Sequence, residues 1–152
     1  MSCKFRLVAL AFTFIVSCTI GVAQTAHDLK KYESLAPGRY QVREGIIMIV
    51  TFAKGGQAKK VVIQPLDSSA DLASTSARRD GKQLSQGEVR EIIDEVVPEA
   101  KRGRYITEIS FVTGCASIAT DVYEHVKISR ALVCTSEGES LISLATITWQ
   151  DR

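Results

Sequence analysis

The sequence lacks the short motifs that mark the common catalytic and nucleotide-binding sites. It contains no P-loop, no G-x-S-x-G nucleophile motif, no H-E-x-x-H zinc motif and no EF-hand calcium loop. It also contains no internal repeat. Its hydrophobic content of 45% and charged content of 24% are ordinary for a globular protein, so the composition excludes a collagen, a coiled coil and wholesale disorder.

An excess of positive charge is also lacking once the N-terminus is set aside. The chain has 19 basic and 17 acidic residues, but Lys4 and Arg6 lie in a predicted signal peptide that contains no acidic residue. The remaining chain therefore has 17 residues of each sign and no net charge. Nucleic-acid-binding domains usually carry a basic excess, so we expect no nucleic-acid partner.

Residues 1–23 have the layout of a secretory signal peptide. A short basic start precedes an apolar run over residues 7–16, and small residues up to Ala23 supply a cleavage site. The sequence thus predicts an exported protein, secreted or periplasmic, with one small domain over residues 24–152. The alternative is a lipoprotein signal in which Cys18 is acylated, and a membrane contact is expected only through that lipid anchor.

Cysteine is scarce, and cleavage of the signal leaves only Cys115 and Cys134. In an oxidising compartment this pair predicts one disulfide, which would stabilise the chain by roughly 3 kcal/mol in the chain-entropy model. A straight strand over residues 122–134 would carry Cys134 roughly 40 Å away, whereas a disulfide needs Cα atoms within about 7 Å. We therefore expect a fold-back near residues 129–130. The alternatives are that residues 105–113 do not lie alongside as a simple meander, or that a plain hairpin leaves two free thiols.

Two runs rich in isoleucine and valine, residues 46–52 and 58–64, flank Gly55 and Gly56. A glycine pair at this place predicts a type I′ hairpin turn, because both central residues need positive φ. The outer edge of this hairpin is a candidate for accepting a strand from a partner. Centring the turn on the glycines predicts three cross-strand pairs: Val50 with Val61, Met48 with Ile63, and Phe52 with Lys59.

Residues 66–82 are small and polar, without a hydrophobic period. A loop of this length is uncommon in a compact domain and is either functional or mobile; we interpret it as a flexible, solvated loop. Arg78 and Arg79 make it a candidate anion-binding surface. Asp67 and Asp71 are too sparse for the ligand set of a calcium loop.

Residues 85–97 have the pattern of an amphipathic helix. Ser85 and Glu88 predict a capping box, and Pro98 predicts the end of the helix. The opposite side of this helix is charged. Its apolar stripe follows helical spacing and comprises Val89, Ile92, Ile93, Val96 and Val97.

A basic turn follows the predicted helix. Lys101, Arg102 and Arg104 lie just past its C-terminus, where the backbone dipole favours cations. That dipole explains the cluster without a ligand, since charge clusters are usually solvated. The cluster is nevertheless the second candidate anion-binding surface.

The remaining segments complete the predicted fold. Residues 105–113 and 122–129 alternate as strands do, residues 131–135 continue apolar, and residues 141–149 form a last strand. Small residues at 114–119 predict a turn. Together these elements predict a two-layer α+β fold, an antiparallel sheet of about five strands with one main amphipathic helix on one face. A further short helix is expected within residues 26–36.

The reactive side chains form no recognised catalytic or metal-binding pattern. Cys115 and His125 could serve as a nucleophile and base, but a cysteine within a disulfide cannot attack a substrate. A zinc site formed by these two residues with Cys134 and His27 lacks the usual ligand spacing. Asp121 and Glu124 are carboxylates of a kind usually found on a solvated strand face. No catalytic residue, metal or cofactor is therefore predicted.

The sequence does not specify a ligand. We interpret the chain as a small exported, non-catalytic binding or interaction domain whose partner is a protein or a small anionic ligand. One alternative is a small extracellular hydrolase that uses the Cys115 and His125 region; another is an envelope protein anchored by an acylated Cys18. The predicted binding surfaces consist of Arg78, Arg79, Lys101, Arg102 and Arg104.

Overall fold

The computed structural model describes residues 28–66, 84–134 and 140–150. The predicted signal peptide, Cys18, His27 and the predicted loop beyond Leu66 lie outside these ranges. Within them, eight strands form one antiparallel sheet. The strands are β1 (Glu33–Ala36), β2 (Arg39–Arg43), β3 (Ile46–Phe52), β4 (Ala58–Pro65), β5 (Tyr105–Thr113), β6 (Ala116–Tyr123), β7 (Val126–Cys134) and β8 (Ser140–Trp149), and the helices are a 3₁₀ helix (Asp28–Lys31), α1 (Gln86–Val96) and α2 (Glu99–Arg102).

The strands lie in the order β1-β2-β3-β4-β8-β7-β6-β5. The chain forms the first four strands in sequence, passes through α1 and α2 to the far edge, and returns strand by strand until β8 pairs with β4. The predicted α+β class with an antiparallel sheet and one main helix is therefore confirmed. The number of strands is not, because the sheet has eight strands and about five were predicted.

The three missed strands are β1, β2 and β6. β1 has only four residues and no hydrophobic alternation, and β2 alternates polar and apolar residues over only five. β1 is held by its pairing with β2, and β2 is held by its pairing with β3. The helix expected within residues 26–36 is a four-residue 3₁₀ turn that leads directly into β1. β6 begins at Ala116, inside the segment that was predicted as a turn, and its small residues pair along β5 and β7. In each case neighbouring strands override weak local preference.

The β3–β4 hairpin has the predicted register over most of its length. Val50 lies opposite Val61, and Met48 lies opposite Ile63. The third pair was wrong, because a bulge after Thr51 places Phe52 opposite Ala58. The hairpin lies in the interior of the sheet, with β2 beside one strand and β8 beside the other. It therefore offers no free edge to a partner strand, contrary to the expectation from sequence.

α1 begins and packs as the sequence predicts. The Ser85 side chain accepts a hydrogen bond from the Glu88 N–H, and the Glu88 carboxylate accepts one from the Ser85 N–H. The apolar stripe is buried in one core cluster with residues of the sheet. Full burial of each large aliphatic side chain stabilises the fold by about 1.5–3 kcal/mol, so the stripe holds α1 on the sheet. The buried residues within α1 are Val89, Ile92, Ile93 and Val96.

A charged cluster ties the far side of α1 to the first strands. Glu95 forms an ion pair with Arg43 of β2 and accepts a 3.3 Å hydrogen bond from the Tyr32 hydroxyl. The hydrogen bond from Arg43 lowers the pKa of Glu95, and the same contact raises the pKa of Arg43. Both side chains are more than one-third exposed, so solvent screening limits the strength of this link.

Cys115 and Cys134 form the predicted disulfide, with Cα atoms 5.5 Å apart. The chain does fold back between them, but at Glu124 and His125 rather than near residues 129–130. Because β6 and β7 are antiparallel and Ala116 lies opposite Val133, the two cysteines meet at the end of this pair of strands. The disulfide therefore joins the β5–β6 turn to the end of β7.

Candidate functional site: a cleft lined by arginine side chains

A cleft of about 300 Å³ lies between α1 and the part of the sheet that contains β6, β7 and β8. Its volume is at the lower end of the range for small-molecule sites. Three arginines and two aspartates line the cleft, and three isoleucines form its apolar wall. The lining residues are Gln86, Gly87, Arg90, Ile93, Asp94, Arg102, Asp121, Tyr123, Ile128, Arg130 and Ile142.

Arg102 is fixed in the cleft by several contacts. It is only 8% exposed, and its Nε donates a 2.9 Å hydrogen bond to the carbonyl oxygen of Val97. A terminal nitrogen of its guanidinium forms an ion pair with Asp94 of α1, and the group lies 5.7 Å from the centre of the Tyr123 ring. A buried charge needs such partners. They also hold the guanidinium in one position.

Arg130 of β7 lies on the opposite wall. One terminal nitrogen donates a 2.5 Å hydrogen bond to the Asp121 carboxylate, across the β6–β7 pair. Its Nε is buried and has no hydrogen-bond partner in the described part of the chain. A buried N–H without a partner costs roughly 1–3 kcal/mol. An acceptor bound in the cleft would remove this cost if it reached that atom.

Arg90 is the third arginine, on the exposed face of α1. It makes no ion pair within the ranges that the structure describes. The cleft thus holds three guanidinium groups against two carboxylates. Its charge is positive overall, although Asp94 and Asp121 already pair with Arg102 and Arg130.

The predicted basic residues do not lie together in the structure. Of the cluster after the helix, only Arg102 reaches the cleft, while Lys101 and Arg104 are exposed and do not line it. Arg78 and Arg79 lie outside the described residues. The cluster is therefore not one surface, because the short helix α2 turns its last residue inward.

Sequence reasoning missed Arg90 and Arg130. Arg90 was predicted to lie on the solvated side of the helix. That it lines a cleft could not be predicted, because this depends on which strands lie beside the helix in the folded chain. Arg130 had a weak signal, because a charged residue within a strand that pairs on both sides needs a partner. Asp121 of the neighbouring strand supplies it.

The other candidate residues are not brought together. Cys115 and His125 lie at opposite ends of β6, whose eight residues span roughly 25 Å at ~3.3 Å each. Asp121 pairs with Arg130, and Glu124 accepts a 3.4 Å hydrogen bond from the backbone N–H of Arg104. In the described ranges, no group of three or more histidine, cysteine, aspartate or glutamate side chains is placed to hold a metal ion.

None of the helices that the structure describes is long and apolar enough to cross a membrane. In comparisons with known proteins, no family model, no curated protein and no solved structure matches this chain. The cleft is therefore interpreted from its own chemistry.

Proposed function

We propose that this protein is an exported, non-catalytic binding domain that holds a small organic anion in the cleft between α1 and the sheet. The observation that carries the proposal is that three guanidinium groups line this cleft and that one of them, Arg130, has a buried Nε without a hydrogen-bond partner in the described part of the chain. An anionic oxygen is the acceptor that such a donor binds most strongly, because charge-assisted hydrogen bonds are about twice as strong as neutral ones.

The ion pairs inside the cleft leave hydrogen-bond donors for a ligand. A guanidinium has five N–H groups. Arg102 uses its Nε and one terminal nitrogen, and Arg130 uses one terminal nitrogen. The aspartates hold the two groups in position, and within the described ranges the remaining N–H groups make no hydrogen bond. A carboxylate or a phosphate group matches this planar arrangement of donors.

The rest of the cleft limits the class of anion. Ile93, Ile128 and Ile142 give it an apolar wall, which a bare inorganic ion would leave uncovered. Binding sites for small molecules usually combine such a wall with a few convergent polar groups. The volume of about 300 Å³ suits a small molecule with an anionic head and a compact apolar part.

The disulfide between the two cysteines supports the proposal that the domain is non-catalytic. Cys115 is bonded to Cys134 and has no thiolate to act as a nucleophile. Disulfides persist in oxidising compartments, which supports the export that the N-terminal sequence predicts. Acylation of Cys18 remains a proposal for mass spectrometry of the N-terminus, where an acyl mass on Cys18 would support an anchored form.

Calorimetric titration tests the cleft, with phenyl phosphate and benzoate as probes and benzyl alcohol as the uncharged control. The folded protein should bind the two anions and not the alcohol. Arg130→Gln should weaken binding about tenfold or more, since a hydrogen bond to a charged group is worth about 1.5–3 kcal/mol. Arg90→Gln should weaken it less, because this side chain is exposed.

Arg104→Gln is the matched control, because it removes the same charge from an exposed residue outside the cleft. It should leave the affinity within twofold of the original chain. Equal losses from Arg104→Gln and Arg90→Gln would contradict a cleft site and indicate general charge attraction. Unchanged binding in both Arg90→Gln and a folded Arg130→Gln would also refute the proposal.

A further inference from the structure

β5 is an unprotected edge of the sheet. It pairs with β6 alone among the described strands, and all nine of its residues are exposed. Natural edge strands are usually shielded by lysine, proline, bulges or short length. From Thr107 to Thr113, β5 has no basic residue, no proline and no bulge, and Glu108 is its one charged side chain.

The other edge of the sheet shows the contrast. β1 has four residues, begins with Glu33, and is followed directly by Pro37. Its pairing with β2 is irregular between Ser34 and Ala36. These features shield β1 from further pairing. The same chain therefore protects one edge and leaves the other open.

The open edge carries a small apolar cluster. Ile109 and Phe111 alternate onto the same face of β5, and Ile118 of β6 lies directly opposite Phe111. Their exposed fractions are 44%, 68% and 49%. Asp121, which lines the arginine cleft, is three positions from Ile118 along β6. Residues an odd number of positions apart in a strand point to opposite faces of the sheet, so the apolar cluster lies on the face turned away from the cleft.

We propose that a second copy of this chain pairs with β5, antiparallel, about a two-fold axis at Ser110. In this register Thr107 to Thr113 of one copy overlaps fully with the same segment of the other. Ile109 then lies opposite Phe111 of the second copy, and the reverse pair forms by symmetry. Aromatic and β-branched residues stabilise each other in such pairs. With Ile118 from each copy, the two edges form one apolar cluster of six side chains.

The charges of β5 are compatible with this register. Glu108 lies opposite Val112 of the second copy, so no like charges face each other. The two Glu108 side chains are four positions apart along the strands, or about 13 Å, which exceeds the Debye length of about 8 Å at physiological ionic strength.

Neighbouring registers fit less well. Moving the axis to Ile109 places Phe111 opposite Thr107 and brings the bulge near Ile106 into the pairing. Moving it to Phe111 shortens the overlap, because Thr107 would then face the turn at Cys115. Only the axis at Ser110 uses the whole regular segment.

The disulfide prepares this edge for pairing. It links the β5–β6 turn covalently to the end of β7, which restrains the end of β5 nearest Thr113. A strand that is already ordered loses less conformational entropy on association. The proposed dimer is isologous and closes on itself, as most homodimers do. It does not depend on whether the cleft binds an anion.

Cross-linking tests the register. Ser110→Cys places two thiols at the two-fold axis, so mild oxidation should yield a covalent dimer. Glu108→Cys is the matched control, because Glu108 does not face itself in this register and should give little dimer. Equal cross-linking of both variants would contradict the proposal, since it would indicate random collision. Absence of a covalent Ser110→Cys dimer would contradict it as well.

Light scattering after size exclusion tests the association itself, with the chain from residue 24. The molar mass should rise with concentration toward twice that of the monomer. Phe111→Lys should keep the chain monomeric. Leu35→Lys, which changes an exposed apolar residue on β1, should leave the dimer unchanged. A monomer at every concentration, or equal loss of the dimer in both variants, would overturn the proposal.

Discussion

Removal of the disulfide has a calculable effect. In a Cys115→Ser, Cys134→Ser double variant, the unfolded chain regains the freedom of a loop that joins residues 19 positions apart. The chain-entropy model assigns roughly 3 kcal/mol to a closed loop of this size. That is a large share of the ~5–15 kcal/mol by which a domain is usually stable. The double variant should therefore fold but unfold much more easily.

The loss should appear first at one end of the sheet. β5 is exposed along its whole length, so little burial replaces the covalent link there. The centre of the sheet holds fully buried side chains such as Ile63 and Ile147. Amide hydrogen exchange should consequently speed up in β5 and in the adjoining ends of β6 and β7, with β3 and β4 affected less.

Urea unfolding followed by Trp149 fluorescence measures the magnitude, because Trp149 packs against the core. With an m-value of about 1–3 kcal/mol per M, the midpoint should fall by about 1–3 M. An unchanged midpoint would refute the reasoning, because it would show that the link does not restrict the unfolded chain. Faster exchange spread evenly over β3 and β4 would refute the claim that its effect is local.

Three smaller predictions concern α1 and the turn that follows α2. Glu95→Gln should lower the free energy of unfolding by under ~1 kcal/mol at pH 7. Because the pKa of Glu95 is lowered in the folded chain, the difference in stability between the two proteins should be present above pH ~4.3 and disappear as the pH falls through the folded pKa. A difference that grows in acid would contradict this account. Gly103→Ala should destabilise by about 1–3 kcal/mol in thermal unfolding, because φ is +76° and the new Cβ would lie 2.8 Å from the Cβ of Glu124; an unchanged melting temperature would show that the turn adapts. Ser85→Ala should cost about 1 kcal/mol through loss of the helix cap, and urea unfolding would reveal an error if it found no loss.

Local patterns predicted the elements whose residues carry their own signals. The capping box and the apolar stripe of α1 each follow from residues close together in sequence, and the structure contains both. The two strands of the β3–β4 hairpin were also predicted, but the type I′ turn was wrong, because only Gly56 of the glycine pair has positive φ and five residues connect the strands. The pairing of Cys115 with Cys134 followed from counting cysteines. The end of the hairpin register was wrong because a bulge after Thr51 leaves no clear sequence pattern.

The strand count failed where neighbours decide the structure. β6 has small and polar residues that are typical of a turn, yet it lies between β5 and β7 and pairs with both. The chain reverses at Glu124 and His125, where no glycine or proline marks a turn. The return of β8 to β4 could not be predicted either, because it depends on long-range pairing.

The cleft itself was not predicted, although two of its lining residues, Arg102 and Asp121, were singled out from the sequence for other reasons. Arg90, Arg102 and Arg130 come from a helix, a short turn of helix and a distant strand, so their convergence depends on the order of strands in the sheet. The basic clusters were predicted from residues that are neighbours along the chain. That criterion therefore also included Lys101 and Arg104, which do not line the cleft. Burial of Arg102 against Tyr123 and Asp94 is a property of the folded chain.

Nuclear magnetic resonance of the arginine side chains tests the cleft most directly. The Nε–H signal of Arg130, assigned by its absence in Arg130→Gln, would be followed while phenyl phosphate is added to isotopically labelled protein. We predict a large, saturable shift of this signal, with little change in the Nε–H signal of the exposed Arg104. A fixed Arg130 signal, or equal and unsaturated movement of both signals, would contradict an anion-binding cleft.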